Sequence, residues 1–326
     1  MIRAYNLCYG TLLALLLHAS SCTDGNEPAA SIDEMEDSHI PIQLTASIEQ
    51  PVVTRAPFIG PVVGKTFSPN SEKIFGVTAF VGNSVPTSWA PNTRVNNASV
   101  NTDSKGAPYF DTLLYYPREQ KFYFYAYSPM VHCEYNDGDA NHHPTITYQL
   151  TGREDILWTK NETGIGMMTE ATQTHPNFVF KHKLQRVVFT IKRTEQTSAS
   201  TTLSEIHLLN QKTKATLNLI TGDVTFEEDA DNKSLSINYE YQPTTDPFQI
   251  PYDFMFEPGI TKLDLVFVID GTNYDVSVTL PDGNVGETRA GYQHRIDVTI
   301  SRSTLSVGEP VLVDWTNCSI DETFIQ

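Results

Sequence analysis

Two stretches of this 326-residue chain, one near each end, alternate apolar and polar residues over the length of a strand. The apolar positions of the first are Ile42, Leu44, Ala46 and Ile48. Those of the second are Leu305, Val307, Val311, Val313 and Trp315. Because successive side chains of a β-strand point to opposite faces, each stretch is predicted to be a strand with one buried and one solvated face.

The sequence between these stretches has the pattern of many short strands. Runs of β-branched and aromatic residues recur with turn-forming residues between them, for example Phe122–Tyr127, Val187–Ile191 and Lys262–Ile269. Asp270-Gly271 separates two such runs at the spacing of a β-hairpin. No stretch of the sequence keeps a helical period between capping residues. We therefore predict an all-β fold built from β-sandwiches.

The length of the chain is enough for two domains that each bury a core. The polar segment Thr169–Pro176 lies between strand-like runs and is the best position for a boundary. We predict two β-sandwich domains in tandem, an N-terminal one over residues 41–172 and a C-terminal one over residues 173–326.

The first residues have the pattern of an export signal. Arg3 precedes the apolar segment Thr11–Leu17, and small residues then lead to Cys22. We predict a signal peptide over residues 1–21, a lipid on the thiol of Cys22 and a flexible polar tether over residues 22–40. The alternative is an ordinary secretory signal that is cleaved nearby. Either way the protein is predicted to leave the cytoplasm.

The charge of the chain argues against two classes of partner. Lys and Arg number 22 against 39 Asp and Glu, which gives a formal net charge of −17, and no basic block concentrates positive charge. Nucleic acid and anionic membrane surfaces are therefore not expected to bind the protein.

Sequence patterns of catalysis are missing. The chain has no GxSxG, HExxH, GxxxxGK[ST] or GxGxxG motif, so we predict no enzymatic activity and no cofactor. The loop over residues 135–144 contains Asp137, Asp139, His142 and His143, which are metal-ligand types. We interpret it as a solvated loop without a metal, because Asp, Asn and Gly commonly form turns. Metal binding is the open alternative.

Two further features leave alternatives open. Cys133 and Cys318 are the cysteines of the predicted mature chain outside the lipid site, and their separation in sequence does not decide whether they pair. The aromatic run Phe122–Tyr127 could stack on carbohydrate. Core packing is the favoured interpretation for about half of its rings, because alternate residues of a strand face opposite sides.

Several short motifs occur in a fixed order along the chain. They are Thr54-Arg55-Ala56, Lys73-Ile74-Phe75-Gly76-Val77, Tyr115-Tyr116-Pro117, Phe122-Tyr123-Phe124-Tyr125-Ala126-Tyr127-Ser128-Pro129, Phe180-Lys181-His182-Lys183-Leu184, Arg289-Ala290-Gly291-Tyr292-Gln293-His294 and Val313-Asp314-Trp315. The ordered set resembles the fimbrillin family, the lipoprotein-derived pilus subunits of the Bacteroidia. The resemblance implies two transthyretin-like β-sandwich domains and assembly by strand exchange.

In the family, a trypsin-like protease cuts after an arginine near the N-terminus, and the first strand then leaves. Arg55 matches that arginine, so the resemblance implies processing at the Arg55-Ala56 bond. The vacated slot exposes apolar surface and unpaired backbone, which a strand from another subunit fills. The displaced strand is then the stretch Ile42–Ile48 and the donated strand is the stretch Leu305–Trp315. The alternative is that both are permanent strands of their own domains.

The resulting expectation is a structural, and in part adhesive, subunit of a cell-surface fimbria. Its partners would be other fimbrial subunits, a trypsin-like protease and, through a fatty acid such as palmitate on Cys22, the outer membrane. The alternative function is a non-polymerising surface lipoprotein, which would serve as an anchor, a tip, or an adhesin for glycan or host protein.

Overall fold

The computed structural model describes residues 40–49, 67–117, 120–135, 143–166, 175–228, 233–280, 290–302, 304–313 and 315. Over these ranges the chain forms twenty β-strands and one short 3-10 helix, Ala90–Asn92, and no α-helix. The predicted all-β fold class is confirmed. Among the described residues, no helix has the length and apolar character that a membrane span requires.

The strands follow the chain with short connections. Their bounds are β1 Thr45–Ile48, β2 Phe75–Gly82, β3 Thr93–Thr102, β4 Pro108–Phe110, β5 Lys121–Ser128, β6 Cys133–Tyr135, β7 Pro144–Gln149, β8 Leu157–Gly166, β9 Asn177–His182, β10 Gln185–Arg193, β11 Leu203–Gln211, β12 Lys214–Asn218, β13 Val224–Glu227, β14 Lys233–Tyr241, β15 Phe248–Phe256, β16 Lys262–Ile269, β17 Thr272–Thr279, β18 Gln293–Ile300, β19 Leu305–Val307 and β20 Val311–Val313.

Seven strands form the largest sheet, in the order β1-β9-β8-β5-β2-β3-β4. Its middle strand, β5, carries aromatic rings on both faces. Phe122 and Phe124 belong to the core cluster on one face, while Tyr123, Tyr125 and Tyr127 belong to the cluster on the other. All five side chains are buried. The expectation that only about half of these rings are core is therefore wrong, because both faces of this sheet are covered.

A four-stranded sheet, in the order β13-β12-β7-β6, supplies the cover for the tyrosine face. Ile146 and Tyr148 of β7, with Ala215 and Leu217 of β12, join the same cluster as the tyrosines of β5. Trp158 of β8 also belongs to this cluster. The cluster thus fills the space between the two sheets, as in a β-sandwich.

The remaining strands form a second sandwich. One sheet runs β15-β10-β18-β19, with β20 also paired to β18, and the other runs β14-β11-β16-β17. Their facing side chains make one apolar core, which includes Val187, Phe189, Phe254 and Phe267. The predicted hairpin at Asp270-Gly271 joins β16 to β17.

Sheet membership does not follow chain order in two places. β9 lies at residues 177–182 but belongs to the seven-stranded sheet, and the hairpin of β12 and β13 lies at residues 214–227 but pairs with β7. The two predicted domains are therefore joined by shared sheets, and the division at residues 172 and 173 stays a prediction.

One glycine is needed for the β12–β13 hairpin to dock. Gly222 has φ +75°, and a Cβ placed there would lie 2.5 Å from the Cε3 of Trp158. The Trp158 indole in turn donates a hydrogen bond from Nε1 to the Leu219 carbonyl at 2.7 Å. The turn therefore packs directly on a ring from the N-terminal half of the chain.

We expect Gly222→Ala to lower the free energy of unfolding by about 2–4 kcal/mol, because it adds a clash with a buried ring to the strain of a left-handed backbone. Gly271→Ala is the matched control, since Gly271 also has φ +75° but no atom lies within 4 Å of its added Cβ. The control should cost only about 1–2 kcal/mol. Urea denaturation followed by circular dichroism measures both, and equal costs would contradict the packing argument.

Candidate functional site

The N-terminal segment, residues 40–49, lies at one edge of the seven-stranded sheet and packs its apolar side chains into the core on one face of that sheet. Ile42, Leu44 and Ile48 are 5%, 6% and 8% exposed, and Ala46 is partly buried against the same cluster. The common buried face predicted for these four residues is therefore observed. Their displacement is a separate matter and stays a prediction.

The two halves of this segment pair with different parts of the chain, and β1 is the terminal strand of its sheet. β1 runs parallel to β9, with Thr45 opposite Asn177 and Ile48 opposite Phe180. Before β1, the Ile42 amide donates to the Leu114 carbonyl at 2.7 Å, and residues 40 and 116 are also joined by a backbone hydrogen bond. The segment thus links β9 to the chain that follows β4.

Aromatic rings line the position that the segment occupies. Phe178 and Phe180 of β9 are fully buried, and Phe75 of β2 lies with its ring centroid 4.9 Å from that of Phe180. Phe67 meets Phe180 edge to face at 5.5 Å. These rings and the apolar residues of β1 belong to one cluster, so removal of the segment would open that cluster to water.

The C-terminal segment, described at residues 305–313 and 315, lies at the edge of the second sandwich. Both of its strands pair with β18 of the same chain: β19 with Val298–Ile300 and β20 with Gln293–Arg295. Within one chain, the predicted donor residues are therefore held in an intramolecular sheet.

This segment does not present one continuous apolar face. Val307 is opposite Val298, and Val311 is opposite Arg295, so β18 advances three positions while the segment advances four. The extra residue is a β-bulge near Gly308, and it reverses which side chains face the core. Leu305 and Val307 pack on the core of the second sandwich.

The residues after the bulge point the other way. Val311 is 44% exposed, because directly opposed residues of paired strands share a face and its partner Arg295 points out of the core. Val313 is partly exposed and lies on the same face as Val311. Within their own chain, Leu305, Val307, Val311, Val313 and Trp315 therefore do not share one buried face, because sequence alternation does not reveal the inserted residue. Their role as the face donated to another subunit stays a prediction.

Trp315 is the last described residue of this segment, and its side chain is buried between the two sandwiches. We call the site that it occupies, formed by His182 and Arg186, its seat. Trp315 is 1% exposed and belongs to the cluster that holds the tyrosines of β5. Its ring stacks on His182 with centroids 4.0 Å apart, and the Arg186 guanidinium lies 5.4 Å from its centroid. His182 ends β9 and Arg186 lies in β10, so Trp315 touches a strand of each sandwich.

Hydrogen bonds to neighbouring side chains hold His182 and Arg186, the two residues that form the walls of this seat. His182 Nδ1 lies 2.9 Å from a carboxylate oxygen of Asp155. The Arg186 side chain is buried and donates from Nε to Asp253 at 2.8 Å and from Nη1 to Gln293 at 2.9 Å. Burial raises the pKa of the Asp253 carboxyl, and the neighbouring guanidinium opposes that rise. None of these residues was expected at a site from the sequence.

Several predicted sites lie outside the described residues: the lipidation position Cys22, the processing positions Arg55 and Ala56, and most of the loop over residues 135–144. Cys133 is described, and it is free and buried. Over the described ranges there is no group of three or more His, Cys, Asp or Glu residues that could hold a metal.

Comparison with known proteins assigns the chain to a family. A family model described as fimbrillin-like matches residues 62–315. The chain belongs to the fimbrillin-like family. It is therefore a fimbrial or adhesion-related surface protein of a structural, non-enzymatic family. The matched range ends at Trp315 and includes the C-terminal segment.

Three solved structures with similar folds come from Bacteroides species. A candidate cell adhesion protein from Bacteroides uniformis is 20% identical, with 86% of this chain and 100% of that chain covered and a TM-score of 0.55. One from Bacteroides ovatus is 17% identical, with 85% and 98% covered and a TM-score of 0.59. A fimbrial protein from Bacteroides vulgatus is 17% identical, with 85% and 99% covered and a TM-score of 0.50. At these identities the similarity supports the fold alone. No curated protein matched the sequence.

Proposed function

We propose that this fimbrillin-like protein is a structural subunit of a cell-surface fimbria that assembles by donor-strand exchange. A trypsin-like protease cuts the Arg55-Ala56 bond, the N-terminal segment leaves its slot, and the C-terminal segment of another copy or another fimbrial subunit takes its place. Before assembly, the precursor is held at the outer membrane by a lipid on Cys22.

The observation that carries this proposal is the pairing and burial of the N-terminal segment. The segment is a short piece of chain that pairs with β9 along Thr45–Ile48 and with the chain after β4 at residues 40 and 42. It buries three aliphatic side chains, yet it is followed within a few residues by Arg55. Burial of such a side chain contributes about 1.5–3 kcal/mol, so an empty slot is costly and favours any strand that fits.

The C-terminal segment has the properties of a strand that can change partners. It lies at the edge of its sheet, its two strands are three residues each, and Val311 is 44% exposed. Donation from one subunit to the next is a head-to-tail contact that does not close, so it builds a filament rather than a dimer.

The test is limited trypsin treatment of the purified precursor, followed by electron microscopy. Wild-type protein should form fibres after cleavage and remain monomeric before it. Arg55→Ala should stay monomeric after the same treatment, because the bond that releases the segment is no longer cut. Arg302→Ala, at an exposed arginine of the second sandwich, is the matched control and should form fibres like wild type.

A second function is favoured by the pairing of the C-terminal segment with β18 of its own chain. A protein that keeps this pairing would be a non-polymerising surface lipoprotein, which acts as an anchor, a tip or an adhesin. Cleaved wild-type protein that remains monomeric, with the N-terminal segment still bound, would support this alternative and contradict donor-strand exchange.

A further inference from the structure

The C-terminal segment is held unevenly along its length. Leu305 and Val307 are only partly buried, and Val311 is 44% exposed. Trp315, by contrast, is 1% exposed. The stabilisation by burial scales with the apolar area removed from water. Trp315, the largest side chain of the segment, therefore supplies most of the free energy that keeps the segment docked.

The two side chains that contact the Trp315 ring, His182 and Arg186, are also held by residues other than the tryptophan. Asp155 orients the ring of His182, and Asp253 and Gln293 fix the guanidinium of Arg186 from β15 and β18. A stacked imidazole on one side and a guanidinium near the ring suit an aromatic side chain. Because other contacts already fix the side chains of His182 and Arg186, binding of the tryptophan ring costs these side chains less conformational entropy.

The position of the seat relates it to the proposed exchange. His182 is the last residue of β9, and the first four residues of β9 pair with β1. The seat therefore lies at the end of the strand that borders the slot of the N-terminal segment. A C-terminal segment seated at Trp315 is not available to another subunit.

We propose that Trp315 is a latch that holds the C-terminal segment on its own subunit, so that the segment is withheld from donation until the tryptophan leaves its seat. This inference rests on the proposed function, in which the same segment is donated. It adds an intramolecular docking step that competes with assembly. That step is assigned to the contact of Trp315 with His182 and Arg186.

Hydrogen exchange of the uncleaved full chain tests the latch without requiring any assembly. Trp315→Ala should raise exchange of the backbone amides of β19 and β20 by about tenfold or more, because local opening of this edge becomes easier. Exchange at β1 and β2 should remain as in wild type. Trp315→Phe, which keeps an aromatic ring for the stack on His182, should show a smaller rise.

Trp89→Ala is the matched control, since Trp89 is 5% exposed in the same cluster but lies outside the segment. It should leave exchange at β19 and β20 unchanged. The latch is overturned if Trp315→Ala leaves these amides protected, or if exchange rises equally over the whole chain for both Trp315→Phe and Trp315→Ala.

Failure of the proposed function gives a different result. In that case cleaved wild-type protein does not form fibres, while the exchange rates of the uncleaved variants still report whether Trp315 holds the segment. Failure of the latch alone leaves fibre formation by cleaved wild-type protein intact and removes the local rise in exchange.

Discussion

A disulfide between positions 45 and 177 is expected to abolish fibre formation by cleaved protein, and a reductant is expected to restore it. Thr45 and Asn177 are register partners in β1 and β9, and the Thr45 hydroxyl donates to the Asn177 side-chain oxygen at 2.8 Å. Both side chains are exposed, so Thr45→Cys with Asn177→Cys should link them within ordinary disulfide geometry without disturbing the core.

The physical reason is that the link ties the N-terminal segment to the strand it must leave. Cleavage at Arg55 would still occur, but the segment would stay in its slot and no donor strand could enter. The variant is made with Cys318→Ser to prevent mispairing. Cys133 can remain, because it is buried and burial raises the pKa of its thiol to about 12, which keeps it protonated and unreactive near neutral pH.

Fibres are counted by electron microscopy, and retention of the segment is measured by mass spectrometry, before and after reduction. Asp264→Cys with Ser277→Cys is the control link, because these residues are register partners in the β16–β17 hairpin and their side chains are in contact. The control should assemble whether oxidised or reduced. Oxidised 45–177 protein that still forms fibres would show that the segment need not leave.

The buried face of the N-terminal segment could be predicted from sequence because burial alternates along it in step with the sequence. Ile42, Leu44 and Ile48 are two or four residues apart and all buried, so the alternation in sequence matches the alternation in space. The same reasoning fails between Val307 and Val311, because a single inserted residue in the bulge reverses the faces.

The aromatic run of β5 shows a second limit. Alternation between faces was predicted correctly for residues such as Phe124 and Tyr125, but a strand pattern does not say what covers each face. Here the cover of the tyrosine face includes the β12–β13 hairpin, which comes about ninety residues later in the chain. Non-local pairing of this kind leaves no periodic signal in either partner.

The seat of Trp315 could not be assembled from sequence for the same reason. Arg186 and Asp253 are 67 positions apart, and Gln293 is 107 positions from Arg186. The one local signal is that Arg186 directly precedes the mostly buried run Val187–Ile191, so a charged residue adjoins the buried part of β10. A cation in that position requires a buried partner, but the sequence does not say which carboxylate supplies it.

Arg186→Met is expected to lower the free energy of unfolding by about 3–5 kcal/mol, because it leaves the Asp253 carboxyl buried without its cation. The side chains of Arg186 and Asp253 are only 3% and 8% exposed, so water cannot replace the lost partner. Arg186→Met combined with Asp253→Leu should recover most of the loss, since two apolar groups need no pairing.

Lys214→Met is the control: its pair with Glu227 has side chains 41% and 50% exposed, and breaking it should cost less than about 1 kcal/mol. Urea denaturation compares the four proteins, and a double variant no more stable than Arg186→Met would show that the unpaired carboxyl is not the cause.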